Sequence, residues 1–188
     1  KIQKAVIGEG IRVIGANAFN NCENLTEIIL PSTLVSIKEG AFSDTKITGI
    51  SLSDDIIDIG EGAFAACEAL SEITLPSKIL NLGEDIFYGC IALTAVDASD
   101  CTQLYTIGDY AFMNCISLKS FALPATVALI GNWAFAGCTA LKTFATADDS
   151  LLYSVGHYAF KDCVILEAFR LPVSVISLGW GVFYNCSA

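Results

Sequence analysis

The chain holds one histidine, one methionine, four prolines and only ten lysines and arginines among its 188 residues. Each scarcity removes a class of function. With His157 as the lone imidazole, no histidine cluster exists to ligate a metal, and no serine or cysteine motif surrounds it to build a triad. The basic residues are scattered along the whole length, and a net charge of −10 repels phosphate, so nucleic acid is excluded as a partner. Long apolar runs are missing too, although 54% of the residues are hydrophobic. Polar residues and glycines interrupt every stretch before the roughly 18–20 residues that a membrane helix needs, so no membrane insertion is expected. With only 16% charged residues, much of the chain must be buried or stacked.

What abounds is repetition. Phenylalanines recur at Phe19, Phe42, Phe64, Phe87, Phe112, Phe135, Phe160 and Phe183, with gaps of 23, 22, 23, 25, 23, 25 and 23 residues. Five positions before each stands Ile, Leu or Val, and four before it Gly in seven copies, with Lys38 as the exception. Three after it comes Cys22, Cys67, Cys90, Cys115, Cys138, Cys163 and Cys186, with Thr45 in the second copy. A period-two apolar pair such as Ile28/Leu30, Ile73/Leu75 or Phe121/Leu123 then reads as a short strand with one face buried. Pro31, Pro76, Pro124 and Pro172 end that strand in alternate copies, where Pro costs no ladder bond; the copies between carry acidic turns. A unit of this length cannot bury its own apolar face, so stacked units must share one core. The expected fold is an α/β solenoid of about eight coils, residues 1–188, each with a strand, a second extended piece and a short helical turn near the Ala-Phe. Glu39, Glu61, Glu84 and Asp109 sit where they would suit the start of that helical turn.

The pattern I-G-x-x-A-F-x-x-C-x-x-L-x-x-φ-x-L-P, in which φ is apolar, is seen nearly complete in "IGEGAFAACEALSEITLPSKI" (59–79). It resembles the BspA-type, or treponemal-type, leucine-rich repeat family, and the resemblance spans all eight copies. It implies a right-handed solenoid with a parallel sheet on its concave side. It also implies a bacterial or protist protein of the cell surface or secreted, in some members an adhesin for host matrix proteins. Copy two lacks both the Gly and the Cys and is one residue short, so an irregularity is expected near Ser43 to Thr48. The chain opens inside a repeat with no signal peptide before Lys1, which reads as a fragment whose end caps lie elsewhere.

Seven cysteines in one column should form a ladder at the strand spacing of about 4.8 Å. In-register side chains point the same way, which suits neither a disulfide nor a tetrahedral zinc site, so packing is the favoured reading. Cys101, off the column in "DASDCTQL", is expected to be an accessible, unpaired thiol, with covalent dimerisation as the alternative. The acidic turns at Asp54, Asp97 to Asp100 and Asp148 lie on alternate rungs, about 10 Å apart and too far to share a calcium ion. Gly8-x-Gly10, Gly60-x-Gly62 and Gly179-x-Gly181 lack the context of phosphate loops and read as turn glycines. No cofactor and no catalytic residue is expected, so the chain reads as a non-enzyme.

Binding has three candidate surfaces. Outward strand positions of the concave face include Glu27, Ile29, Glu72, Thr74, Asp97 and Arg170, a mild set without an anchor cluster. Two before the Phe stand Tyr110, Trp133 and Tyr158, with Trp180 one residue earlier in the last copy. Rings on successive rungs suit glycan stacking or a protein partner. The plainer reading, rings that merely cover the turn or a neighbouring repeat, carries more weight. Seven before the Phe, Val35, Ile57, Leu80, Tyr105, Tyr153 and Ile176 form another apolar row. Facing outward it predicts subunit pairing or contact with another domain, whereas a kinked backbone would make it core; the balance falls toward core. The reading is a module that presents a solenoid face to a protein or glycan ligand, a host matrix protein among the options. Its alternative is a structural spacer or self-associating element, a homo-oligomer.

Overall fold

The computed structural model describes residues 1–187 and consists of stacked coils, each with two extended sides and one side made of turns. The first side carries Lys4–Val6, Glu27–Ile29, Glu72–Thr74, Ala95–Asp97, Ser120–Ala122, Thr143–Ala145 and Ala168–Phe169. These strands pair in parallel with like residues opposite one another, as in Phe121 with Phe144 and Ile73 with Val96. The middle residue points inward and its neighbours outward, so Ile28, Ile73, Phe121 and Phe144 are buried.

The second side is a ladder of two-residue strands, from Val13–Ile14 through Ser36–Ile37, Asp58–Ile59, Asn81–Leu82, Thr106–Ile107, Leu129–Ile130 and Ser154–Val155 to Ser177–Leu178. It divides into a three-stranded and a five-stranded piece, parallel throughout. The hydrophobic residue five before the Phe is buried in the core in the first seven copies, from Ile14 to Val155, and Leu178 of the last copy is exposed.

The third side corrects the expected helical turns. The described residues contain no helix, and the backbone around each Phe runs through successive tight turns. Ala18 N–H donates to Gly15 O at 3.2 Å, Cys22 N–H to Phe19 O at 3.0 Å and Leu25 N–H to Cys22 O at 2.8 Å. The cause lies two positions either side of the Phe. Asn17, Gly40, Gly62, Asp85, Tyr110, Trp133, Tyr158 and Gly181 on one flank all have φ between 54° and 62°. On the other flank Asn21, Asp44, Ala66, Gly89, Asn114, Gly137, Asp162 and Asn185 have φ between 54° and 74°. A right-handed helix cannot pass through a left-handed residue, so two per coil forbid one. Their N–H groups turn outward along the stack, and each Phe N–H bonds the next rung, as in Phe19 N–H to Ala41 O at 2.8 Å.

The interior is a column of rings. Consecutive repeat phenylalanines stack with centroids 5.0–5.7 Å apart and planes within 2–20° of parallel. Phe121, Phe144 and Phe169 set their edges against the column, at 61° to Phe135 and 79° to Phe160 in the first two cases. Such contacts add about 0.5–1.5 kcal/mol each beyond burial.

The cysteines pack, as expected, and do one thing more. From Cys67 onward each column thiol lies against the carbonyl of a preceding rung's Phe: Cys67 Sγ to Phe42 O at 3.1 Å, Cys115 to Phe87 O at 3.2 Å, Cys138 to Phe112 O at 3.2 Å. The S–H is a weak donor that bridges rungs where a Val or Ala would leave that oxygen with one partner fewer. Burial pushes the Cys67 thiol up to about 11 and those of Cys90, Cys115 and Cys138 well above the ordinary range. Thiols held in that form are poor nucleophiles.

Among the glycines four before the Phe, Gly60, Gly108, Gly131, Gly156 and Gly179 serve close approach. The second glycines of the Gly-x-Gly pairs, Gly10, Gly62 and Gly181, with φ of 96°, 56° and 62°, are turn glycines as the spacing suggested. A Cβ on Gly156 would lie 2.5 Å from the carbonyl carbon of Gly131 and 2.6 Å from Asn132 N. Copy two shows its irregularity on the first side, where residues 48–52 form no strand and the sheet is broken between Glu27–Ile29 and Glu72–Thr74; a second break, between Ala95–Asp97 and Ser120–Ala122, lies outside it. Thr45 fills the cysteine position there, fully buried, its hydroxyl 3.3 Å from Cys67 Sγ.

Two expectations about exposure are overturned. Cys101 is only 1% exposed, with its thiol 3.5 Å from Pro76 O. The two extra residues of its rung fold the turn inward over the core. The row seven before the Phe faces solvent in five of its six members and is not core: Ile57, Leu80, Tyr105, Tyr153 and Ile176 are exposed, Leu80 by 51% and Ile176 by 85%, and Val35 is half-buried. The corner between two inward positions, eight and five before the Phe, turns most intervening side chains outward, with Ser36 and Ala128 as buried exceptions.

Candidate ligand-binding face

Among the expected sites, the first-side residues are placed outward, and two of the six are held in ion pairs. Glu27 pairs with Lys4 at 2.7 Å and Asp148 with Arg170 at 2.6 Å. Glu72, Thr74 and Asp97 line a shallow hollow of about 560 Å³ beside the broken rung, and Ile29 is exposed at a distance along the same side. Asp97 spends one oxygen on its own turn, accepting Ser99 N–H at 3.0 Å, which holds its pKa below the ordinary carboxylate value. This side has no aromatic anchor.

The turn side is richer. The column two before the Phe is left-handed on every rung, and five rungs fill it with Gly, Asn or Asp, residues that tolerate this conformation. Tyr110, Trp133 and Tyr158 occupy the same backbone with φ of 54–57°, at a cost of about 1–2 kcal/mol each. That conformation throws the rings onto the surface. Trp133 and Tyr158 lie 4.5 Å apart between centroids, and Trp180 meets Tyr158 edge-on at 4.8 Å. The structure thus brings Trp133, Tyr158 and Trp180 into one ridge, with Trp180 70% exposed, and leaves Tyr110 at its foot. The rings do cover one another across rungs, as the plainer reading expected, and they still present a continuous half-exposed strip.

Sequence reasoning missed the neighbouring column, one after the Phe. It adds Tyr184, 6.2 Å from Tyr158, and Lys161, whose Nζ sits 5.0 Å over Trp133 and 5.9 and 5.8 Å from Tyr158 and Tyr184. The signal was present as Tyr88, Met113, Lys161 and Tyr184, but the mixed chemistry of that column hid it.

His157, the lone imidazole, is exposed and structural. Asp109 accepts Asn132 N–H at 2.7 Å, Asn132 Oδ1 accepts His157 N–H at 2.8 Å, and His157 Nδ1 accepts Trp180 N–H at 2.8 Å. Four rungs are tied by one chain of three side-chain acceptors, and that chain, not a helix start, is the role of Asp109. Nδ1 is therefore the unprotonated nitrogen, and it points at a backbone amide with no nucleophile beside it.

Below the ridge, toward the N-terminal rungs, the same column shrinks to Gly40 and Gly62. A groove of about 660 Å³ opens there, floored by these glycines with Ser43 and Ala65, and closed at one end by Tyr110 and Met113. Glu39, Glu61, Glu84 and Asp85 border it. Burial and neighbouring acids raise the Glu84 and Asp85 carboxyls above the usual range. No three metal-ligating side chains among the described residues come close enough to hold one ion.

The model of the BspA type leucine rich repeat region matches residues 1–106 and 105–188, in six copies. Among solved structures, a leucine rich repeat protein of T. pallidum is 25% identical, with a TM-score of 0.53 over 81% of this chain and 77% of its own. A leucine rich cell surface protein of Faecalibacterium prausnitzii is 20% identical over 96% of this chain (TM-score 0.45), and the pneumococcal vaccine antigen PcpA 16% over 97% (TM-score 0.47). This chain spans 60% of the length of each of the latter two. No curated protein matches it. With strands paired in parallel from coil to coil, and with the family's repeat matched from one end to the other, the chain belongs to the BspA type leucine-rich repeat family.

Proposed function

We propose that this chain is a non-enzymatic interaction module of a surface or secreted protein, adhesin-like, whose turn side binds a protein or glycan ligand. One observation carries the reading. Tyr110, Trp133 and Tyr158 hold bulky rings in a left-handed backbone where other rungs use Gly, Asn or Asp. Strain retained on three successive rungs points to use of the rings it displays. The thiols held protonated by burial and the imidazole spent on a backbone amide support a binding role over catalysis.

The test is capture on immobilised matrix proteins and a glycan array, comparing wild type with Trp180→Ala and Trp133→Ala. Trp180 is well exposed, so its variant keeps the fold. Loss of capture in both supports the ridge, and unchanged capture in both retires it.

The outward apolar row favours a second reading, self-association. Ile57, Leu80, Tyr105, Tyr153 and Ile176 lie on one side, where Tyr105 N–H bonds Leu80 O at 2.7 Å and Ile176 N–H bonds Tyr153 O at 2.9 Å. Light scattering over a range of concentration decides it. Growth that Leu80→Glu abolishes supports pairing, and a concentration-independent monomer removes it.

A further inference from the structure

We propose that the groove beside the aromatic ridge binds an extended, lysine- or arginine-bearing segment of a protein partner, its cations along Glu39, Glu61, Glu84 and Asp85 and its end against Tyr88 and Tyr110. This deepens the reading of the turn side as the binding side and rests on it.

The first observation is shape. The groove exists because rungs two and three place Gly40 and Gly62 where later rungs place rings, so its floor drops by a side chain's height. Its lining runs from Asn20 to Met113, across four rung-to-rung steps. At about 4.8 Å per step that is roughly 19 Å, the length of an extended segment of about six residues.

The second is charge without a counter-charge. On rungs five to seven the column three before the Phe is consumed by the acceptor chain of Asp109, Asn132 and His157. On rungs two to four it holds Glu39, Glu61 and Glu84, and none of these, nor Asp85, has an ion-pair or side-chain hydrogen-bond partner among the described residues. Seven of the chain's ten basic residues are in ion pairs with carboxylates elsewhere: Lys4, Lys38, Lys46, Lys78, Lys142, Lys161 and Arg170. Burial first, and then the crowding of neighbouring acids, raises the Glu84 and Asp85 carboxyls. Ligand cations would relieve that repulsion, whereas a neutral glycan would leave it in place and desolvate the carboxylates besides.

The third observation shows the molecule doing this with its own side chain. One step along the same face, Lys161 lays its ammonium over Trp133, Tyr158 and Tyr184. Tyr88, 39% exposed, and Tyr110 offer rings in the groove with no cation of the chain over them, next to carboxylates that would hold one there. A single divalent ion does not fit, because the carboxylates are strung along the groove and do not converge.

The test is fluorescence anisotropy with a labelled six-residue peptide of alternating Lys and Thr, its Glu-for-Lys counterpart, and calcium as competitor. Wild type should bind the Lys peptide and not the Glu peptide, with affinity falling at least tenfold as salt rises from low to physiological. The double variant E61Q/E84Q should lose at least tenfold while melting no lower than wild type. Ala65→Arg, which puts a cation on the groove floor, should lose as much. The control E72Q/D97N, with the same charge change on the first side, should bind like wild type. Equal loss in the control would mean attraction by net charge alone and would overturn the proposal. So would displacement of the peptide by calcium at equimolar carboxylate, or no binding by wild type. Failure here with capture still lost in Trp180→Ala leaves the broader reading standing, and loss of neither removes both.

Discussion

A methyl group on Gly156 should destabilise the solenoid, while the same change at Gly8 should not. Neither glycine has a left-handed φ, so alanine is conformationally allowed at both. Allowed Gly→Ala changes stabilise by about 0.4–1 kcal/mol through the unfolded chain, and that gain is common to the two variants. They differ in what the new Cβ meets. At Gly8 there is nothing within 4 Å; at Gly156 the Gly131 carbonyl carbon and oxygen and Asn132 N lie at 2.5, 2.7 and 2.6 Å. Those atoms are backbone and are held by the ladder, since Gly156 N–H donates to Ile130 O at 2.8 Å. The rungs must part by about 1 Å, an overpacking cost of about 1–3 kcal/mol. With a urea slope of about 2 kcal/mol per molar, the two midpoints should differ by roughly 0.5–1.5 M. Urea unfolding followed by far-ultraviolet circular dichroism measures this. A broadened transition in Gly156→Ala alone would agree, because a loosened interface uncouples the coils on either side. Coincident midpoints would refute close rung approach as the reason for the glycine column.

Alkaline pH should act through the thiols. Burial raises Cys67 from an ordinary 9.0 to about 11, so its contribution is complete below the unfolded value and is lost as pH climbs toward 11. That loss is on the order of 2–3 kcal/mol, and Cys67→Ser should flatten the fall in melting temperature between pH 9 and 11 relative to wild type; parallel curves would contradict it. Cys101 should resist a soluble disulfide reagent in the native protein and react on unfolding, and prompt native labelling would return it to the surface. His157→Ala should cost about 0.5–1.5 kcal/mol by orphaning Trp180 N–H, with His157→Asn restoring most of it; equal melting of the two would show that Nδ1 holds nothing.

Much of the fold was legible from the column of phenylalanines alone. A fixed period with one apolar face per unit leaves stacking as the way to bury it, and from that follow the ring stack, the inward Ile28 and Ile73, and the buried cysteines. The irregularity of copy two was legible for the same reason, since a unit one residue short cannot keep register on both sides. The aromatic positions were readable as a row, and their exposure was not, because spacing says which residues align and nothing about the direction in which they point.

Direction was decided by the backbone at the corners. Positions two either side of each Phe lie in the left-handed region, which replaces helix with tight turns and lifts Trp133 and Tyr158 outward. The kink between the two inward residues turned Leu80 and Ile176 to solvent, and the longer acidic turn folded Cys101 into the core. Composition and period are set by the free energy of hiding apolar surface, a property of the chain that any reader of its letters can sum. Which way a side chain leaves a corner, and which carboxylates find a partner, depends on φ and on the neighbouring coil, and these exist only once the coils are stacked.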